Sequence, residues 1–170
     1  SYLRLLSDGG ENDTKQKWKD LAIKRIINVP RRGVGNKAME QLEEIAARED
    51  INLYEACKRF PRGKNKAGSA IPQFVQMIEE CRALVHEISI DQLMHTLLDK
   101  SGYLRMLEEE KEIERLENIK ELLHDMESFL LNQAEGDLEE YLQMISLYTD
   151  KEEYDSESDA QYVQLMTIHA

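Results

Sequence analysis

Apolar residues recur at three- and four-residue spacing along most of the chain, the period of a helix with one buried face. Between Met39 and Ala47, Met39, Leu42, Ile45 and Ala46 fall on one side and the glutamates mostly on the other. Ile71, Phe74, Val75, Ile78, Cys81, Leu84, Val85 and Ile88 extend the same pattern over a longer helix, with Pro72 expected in its first turn, where a missing N–H costs nothing. A shorter helix is predicted from Asp91, with Leu93, Met94, Leu97 and Leu98 as its stripe and Gly102 as its stop. The register from Tyr103 through Leu131 is helical with a bend or break near Glu108 to Glu112, and Leu138, Tyr141, Leu142, Ile145 and Leu147 form a last helix. Three segments read as loops: Ser7 to Thr14, Phe60 to Ser69, and the acidic Thr149 to Asp159. Beyond the last of these, Tyr162 to Ile168 turns β-like, a strand expected to pair with a sheet outside this sequence. The pattern predicts an all-α fold, a multi-helix domain with at most short terminal β segments.

At 170 residues, 41% hydrophobic and 33% charged, the chain can bury the core of one domain or at most two small lobes. No apolar run approaches the roughly 20 residues that span a bilayer, and the N-terminus lacks the layout of a signal peptide, so no membrane partner and a cytoplasmic location are expected. Cys57 and Cys81 stand apart from any CxxC pair or His/Cys cluster, which points to two buried thiols and to no metal site or disulfide framework. The net charge of -12 argues at first against a polyanionic partner. Its distribution reverses that argument: residues 1–68 carry 15 basic and 10 acidic side chains, residues 69–170 carry 7 and 24. A basic end can be held over phosphates while an acidic end stays clear of them.

The segment Lys24 to Leu42, KRIINVPRRGVGNKAMEQL, holds the candidate chemistry. Gly33 and Gly35 flank Val34 in what reads as a tight turn, and Asn36 is expected to cap the helix that follows. The first N–H groups of that helix would point outward, and Arg31, Arg32 and Lys37 would add positive charge around them. This is the layout of helix-hairpin-helix modules, which grip the DNA backbone through a glycine turn without reading bases. A second basic loop, with Lys58, Arg59, Arg62, Lys64 and Lys66, adds charge but no specific contact, and a solvated loop is its simpler reading.

The runs YLRLL, RIINVPRRGVG, LDKSGYLRML with RLENIKELL, and the terminal VQLMTIHA resemble, in order and spacing, the superfamily 1 DNA helicases of the UvrD/PcrA/Rep type. The resemblance covers essentially the whole chain and corresponds to the 2B subdomain, a helical insertion in the second RecA-like domain of that family. It implies that residues 1–170 are a single 2B subdomain, with 1–6 and 162–170 as boundary segments from the adjoining RecA-like 2A domain. It further implies a parent enzyme that hydrolyses ATP with Mg2+ and moves 3′-to-5′ along single-stranded DNA. In such enzymes the 2B glycine turn contacts duplex DNA, which maps onto Gly33, Val34 and Gly35 with Arg31, Arg32, Asn36 and Lys37 beside them. Thr167 and His169 would lie by single-stranded DNA only in the intact parent. The 2B subdomain of the family swivels as a body and is regulatory. One departure is SDGGENDTKQKWKD, longer and more polar than the bacterial type members suggest, with the chain's one tryptophan, Trp18; no contact is carried over to it.

No Walker A sequence occurs, and RRGVGNK lacks its spacing and its preceding strand, so the fragment is expected to hold no ATP site, no catalytic residue and no cofactor of its own. The carboxylates at Glu108, Glu109, Glu110 and Glu112 read as a solvated helical face. His86, His95 and His124 lie far apart without metal-ligand spacing. The expected function is that of an accessory, regulatory subdomain of an ATP-dependent DNA helicase, contacting duplex DNA non-specifically and the other helicase domains of its own chain. The alternative is a protein-interaction module that docks a repair or replication partner without binding DNA itself.

Overall fold

The hydrophobic spacing resolves into helices throughout a computed structural model that describes residues 1–7, 13–63, 65–133 and 136–146, with side chains from Lys17 onward in its second helix. In order these are α1 (Tyr2–Leu6), α2 (Asp13–Ile26), α3 (Asn36–Glu49), α4 (Leu53–Arg59), α5 (Lys66–Arg82), α6 (Ile90–Ser101), α7 (Tyr103–Glu110) and α8 (Ile113–Asn132), followed by α9 over 138–146. Among the described residues there is no strand, and the fold is all-α. The predicted strand at 162–168 and the acidic loop at 149–159 lie outside those residues, as do Thr167 and His169.

The breaks follow local chemistry. Gly102 ends α6 at φ +72, a left-handed conformation that glycine adopts without strain. Lys111 takes the same region at φ 56 and splits the long Tyr103–Leu131 register into α7 and α8, at the break expected between Glu108 and Glu112. Helix α5 departs from the sequence pattern at both ends. It begins at Lys66, so most of the expected Phe60–Ser69 loop is shorter, and Pro72 sits inside the helix rather than in its first turn. Proline cannot donate to the carbonyl four residues back. That carbonyl, on Gly68, instead accepts from the Gly63 N–H at 3.4 Å. At the other end the residues to Ile88 leave the helix at Arg82 and continue as tight turns, with Leu84 N–H donating to Cys81 O and Val85 N–H to Arg82 O.

One hydrophobic core joins the helices, with Leu5, Leu6, Ile23, Ile27, Leu42, Tyr54, Phe74, Ile78, Leu93, Leu97 and Tyr141 all fully buried. Cys57 and Cys81 are buried free thiols within it, and burial pushes the Cys57 thiol up to about 12. Helix α9 docks through Tyr141, whose ring meets Phe129 edge-on at 5.4 Å. Among the described residues no helix is long and apolar enough to cross a membrane.

Beside the core, Tyr54 O–H donates to Glu79 Oε1 at 2.6 Å, and the same carboxylate pairs with Arg82 at 2.8 Å and Lys58 at 3.4 Å. Arg82 also reaches the Leu5 carbonyl, which ties α1 to α5. Partial burial alone would raise the Glu79 carboxyl, but the Tyr54 hydroxyl and the two cations together hold it below the ordinary glutamate range. A carboxyl depressed on folding stabilises fully above its unfolded pKa and loses that contribution as pH falls through its folded value. Thermal melts of wild type should therefore fall more steeply below the ordinary glutamate range than melts of Glu79→Gln. Parallel acid limbs for the two proteins would show that this carboxylate contributes nothing to acid stability.

Candidate nucleic-acid interface

The chain between α2 and α3 is organised by a side chain that charge and glycine counting do not pick out. Asn28 Oδ1 accepts from three successive backbone N–H groups, those of Arg32 at 2.9 Å, Gly33 at 3.1 Å and Val34 at 3.2 Å. An asparagine that bonds the backbone a few residues ahead is a turn former, and here it folds residues 28–34 into a closed loop. Val34 is buried at its tip and joins the loop to the hydrophobic core, while Arg31, Gly33, Gly35, Asn36 and Lys37 are exposed.

The two glycines are there for different reasons. Gly33 stands at φ +80, and a Cβ on it would lie 3.0 Å from Lys66 Cβ, so both backbone conformation and space demand glycine. A Cβ on Gly35 would meet nothing within 4 Å; its backbone is extended at φ -92 and its face is open. The Gly35 carbonyl accepts from Ala38 N–H at 3.0 Å and Met39 N–H at 3.1 Å, starting α3. This corrects the expected role of Asn36, which is the first helical residue rather than the cap; the residue before the helix is Gly35, with no side chain to close the end. The N–H groups of Gly35, Asn36 and Lys37 consequently have no acceptor among the described residues. Those of Gly33 and Val34 are already engaged by Asn28.

Arg31 and Arg32, grouped by charge in the sequence, point to different tasks. Arg31 is exposed and makes no hydrogen bond or ion pair among the described residues. Arg32 is turned inward. Its Nη1 donates to the carbonyls of Ile26 at 3.1 Å, Ile27 at 3.4 Å and Pro30 at 3.2 Å, and its Nη2 to Tyr2 Oη at 2.8 Å and the Ser101 carbonyl at 3.1 Å. The guanidinium also lies 5.4 Å over the Phe74 ring. Tyr2 O–H in turn donates to the Val29 carbonyl at 2.6 Å. With both Nη groups engaged at the end of α2, on α1 and at the end of α6, Arg32 is a structural tie, and less of its guanidinium is left to meet a phosphate than of the exposed Arg31.

The site that remains is a row of outward N–H groups at the positive end of a 14-residue helix, with Arg31 and Lys37 at its sides. Among the described residues no group of three or more His, Cys, Asp or Glu is placed to hold a metal ion.

Comparison with known proteins bears on what such a site belongs to. The UvrD-like helicase C-terminal domain matches over residues 14–170. The ATP-dependent DNA helicase PcrA of Bacillus subtilis (strain 168) is 35% identical to the whole of this chain, and that of Staphylococcus aureus (strain Mu50 / ATCC 700699) is 31% identical. The chain spans only 23% of the length of either relative. A match across nearly the whole sequence, joined to the all-α fold, assigns the chain to the family of UvrD-like helicase C-terminal domains.

Proposed function

We propose that this chain is the 2B accessory subdomain of an ATP-dependent 3′-to-5′ DNA helicase and that it grips duplex DNA non-specifically by the phosphate backbone through Gly35, Asn36 and Lys37, flanked by Arg31. The observation that carries the reading is the uncapped start of α3: three adjacent N–H groups without acceptors, next to two cations without partners, among the described residues. Backbone donors at a helix N-terminus recognise phosphate irrespective of base, which suits an enzyme that must act on any sequence. Gly33 and Val34 belong to the site as its scaffold, since their amides are engaged by Asn28.

ATP and Mg2+ are cofactors of the parent in this reading. The glycine turn does not fit them: it follows helix α2 rather than a strand, and its central amides bond Asn28 instead of facing outward. No step of ATP hydrolysis is assigned to these residues. Thr167 and His169 are proposed to approach single-stranded DNA in the intact parent, whose other helicase domains and any repair or replication protein are the remaining partners.

The test is a fluorescence titration of a short labelled duplex with the 170-residue chain at about 50 mM salt and upward. Binding in the range of roughly 10^-4 to 10^-6 M is expected, weakening steeply with salt and lost in Arg31→Ala/Lys37→Ala. Absence of binding at millimolar duplex, or binding indifferent to salt, would refute the reading and favour docking of a protein partner.

A further inference from the structure

A cleft of about 370 Å³ lies along the second half of α3, within the range of roughly 300–1,000 Å³ in which ligand sites fall. It is lined by Ile45 and Arg48 from α3 and by Arg59, Phe60, Pro61 and Arg62 where the chain leaves α4. Ile45 stands about 12 Å along the helix from Lys37, so the cleft is set apart from the start of α3. Its apolar floor is anchored, because Ile45 and Phe60 are both buried members of the hydrophobic core. Phe60 N–H donates to Cys57 O as α4 ends, and Gly63 N–H to Gly68 O, which holds the departing chain at both ends.

Three guanidiniums border that floor. Arg48 and Arg59 are more than half exposed and share one carboxylate, that of Glu49, with Arg48 Nη2 at 2.9 Å. A guanidinium carries five N–H donors, so both keep donors to spare. Arg62 is exposed and makes no hydrogen bond or ion pair among the described residues. The carboxylates beside them are Glu44, in the lining, and Glu49. In a chain of net charge -12 this is a local excess of positive charge over an apolar surface. The mixture selects the occupant. A duplex presents phosphate at every step with its bases turned inward, so it would set charge against Glu44 and Glu49 and leave the apolar floor unfilled. A peptide carries carboxylates at chosen positions with an apolar side chain between them, and arginine clusters are a recurring means of reading acidic motifs.

We infer that this cleft docks an acidic peptide segment of a partner protein, with one large apolar side chain seated on Ile45, Phe60 and Pro61 and its flanking carboxylates held by Arg48, Arg59 and Arg62. The site uses neither Arg31 nor Gly35 to Lys37, so it stands or falls independently of the duplex grip proposed above. Arg59 and Arg62 belong to a segment whose sequence reads as a solvated basic loop. The fold sets them in one cleft with Arg48 of α3, and that grouping gives the loop a specific task.

The experiment is a fluorescence-anisotropy titration of the 170-residue chain into a short fluorescein-labelled peptide that holds a Leu-Phe pair between two Asp-Asp pairs. Two control peptides, one with Asn for every Asp and one with Ala-Ala for Leu-Phe, are read on the wild-type protein. Each control is expected to bind about tenfold more weakly than the unaltered peptide. Arg48→Gln/Arg62→Gln should also bind the unaltered peptide about tenfold more weakly, with melting unchanged, and Arg31→Ala/Lys37→Ala should bind it as wild type does. Should Arg48→Gln/Arg62→Gln melt below wild type, the two control peptides alone decide. No binding at about 1 mM peptide, or wild-type affinity in a stable Arg48→Gln/Arg62→Gln, would overturn the inference. Equal binding of the Ala-Ala control would reduce the contact to charge attraction and overturn the seated side chain, and equal binding of the Asn control would overturn the arginine contacts. Displacement of the bound peptide from Arg31→Ala/Lys37→Ala by a short duplex would assign the cleft to nucleic acid instead.

Discussion

Arg32→Ala is expected to destabilise the protein by about 3 kcal/mol, because the guanidinium ties three helices and the intervening turn at once, and hydrogen bonds from a charged group are worth about 1.5–3 kcal/mol each when a buried partner is orphaned. The acceptors left behind include the Ile26 and Ile27 carbonyls at the end of α2, Tyr2 Oη of α1 and the Ser101 carbonyl of α6. In a chain of this size that loss lowers the melting temperature by roughly 6–12 °C. Arg32→Lys should recover less than half of it, since one ammonium has three donors and no planar fork with which to span acceptors on both sides. Arg31→Ala, which removes an exposed side chain with no partner among the described residues, should leave melting within about 1 °C. Calorimetry on the three variants decides the matter: equal melting of Arg31→Ala and Arg32→Ala would mean that the Arg32 network carries no net stability. The contrast also bears on DNA. Arg31→Ala should weaken duplex binding in a fully folded protein, whereas Arg32→Ala should weaken it only as far as the turn itself melts.

That two adjacent arginines divide in this way shows where the sequence could be read and where it could not. The all-α fold was legible because apolar spacing is a property of single helices, and the split near Lys111 was legible because the long Tyr103–Leu131 register falters there. Helix α4 was missed. At seven residues it has no room for a stripe, and Leu53, Tyr54, Ala56 and Cys57 are buried on more than one side. Its usable signal was the Asn52 cap, whose side chain accepts from Glu55 N–H at 2.9 Å, with Asn and Glu at the spacing of a capping box. The true start of α5 was hidden by Pro72, because a proline reads as a first turn unless the carbonyl it leaves bare finds another donor, and that donor, the Gly63 N–H, comes from the preceding loop folding back on the helix start.

The candidate site followed the same division. Glycines and positive charges single out the segment Lys24 to Leu42, since both are properties of residue type. Residue type does not say where a guanidinium points, which depends on Tyr2 and Ser101, 30 and 69 residues away. Nor does it connect Gly33 with Lys66, or show that Gly33 is constrained while Gly35 faces open space.

Asn28 supplies the second large effect, and it separates folding of the turn from its charge. Asn28→Ala removes the single oxygen that satisfies the Arg32, Gly33 and Val34 N–H groups and should cost about 2–3 kcal/mol, near the sum of its net hydrogen bonds. The loss arises in the turn that positions Gly35 to Lys37, so duplex affinity should fall with stability. Asn28→Asp keeps an acceptor oxygen at the same place, and a carboxylate accepts backbone N–H groups at least as well as an amide. Its melting temperature at neutral pH should stay within a few degrees of wild type. The new negative charge lies against the Val34 N–H, one residue before the N–H groups proposed for phosphate, and it should reduce duplex affinity several-fold, by more at low salt than at high salt. Thermal melts and duplex titrations on both variants separate the outcomes. Retained stability with weakened binding in Asn28→Asp would tie the site to the electrostatics of this turn. Wild-type binding in a stable Asn28→Asp would mean that phosphate is gripped elsewhere, and wild-type melting in Asn28→Ala would remove Asn28 as the organiser of the turn.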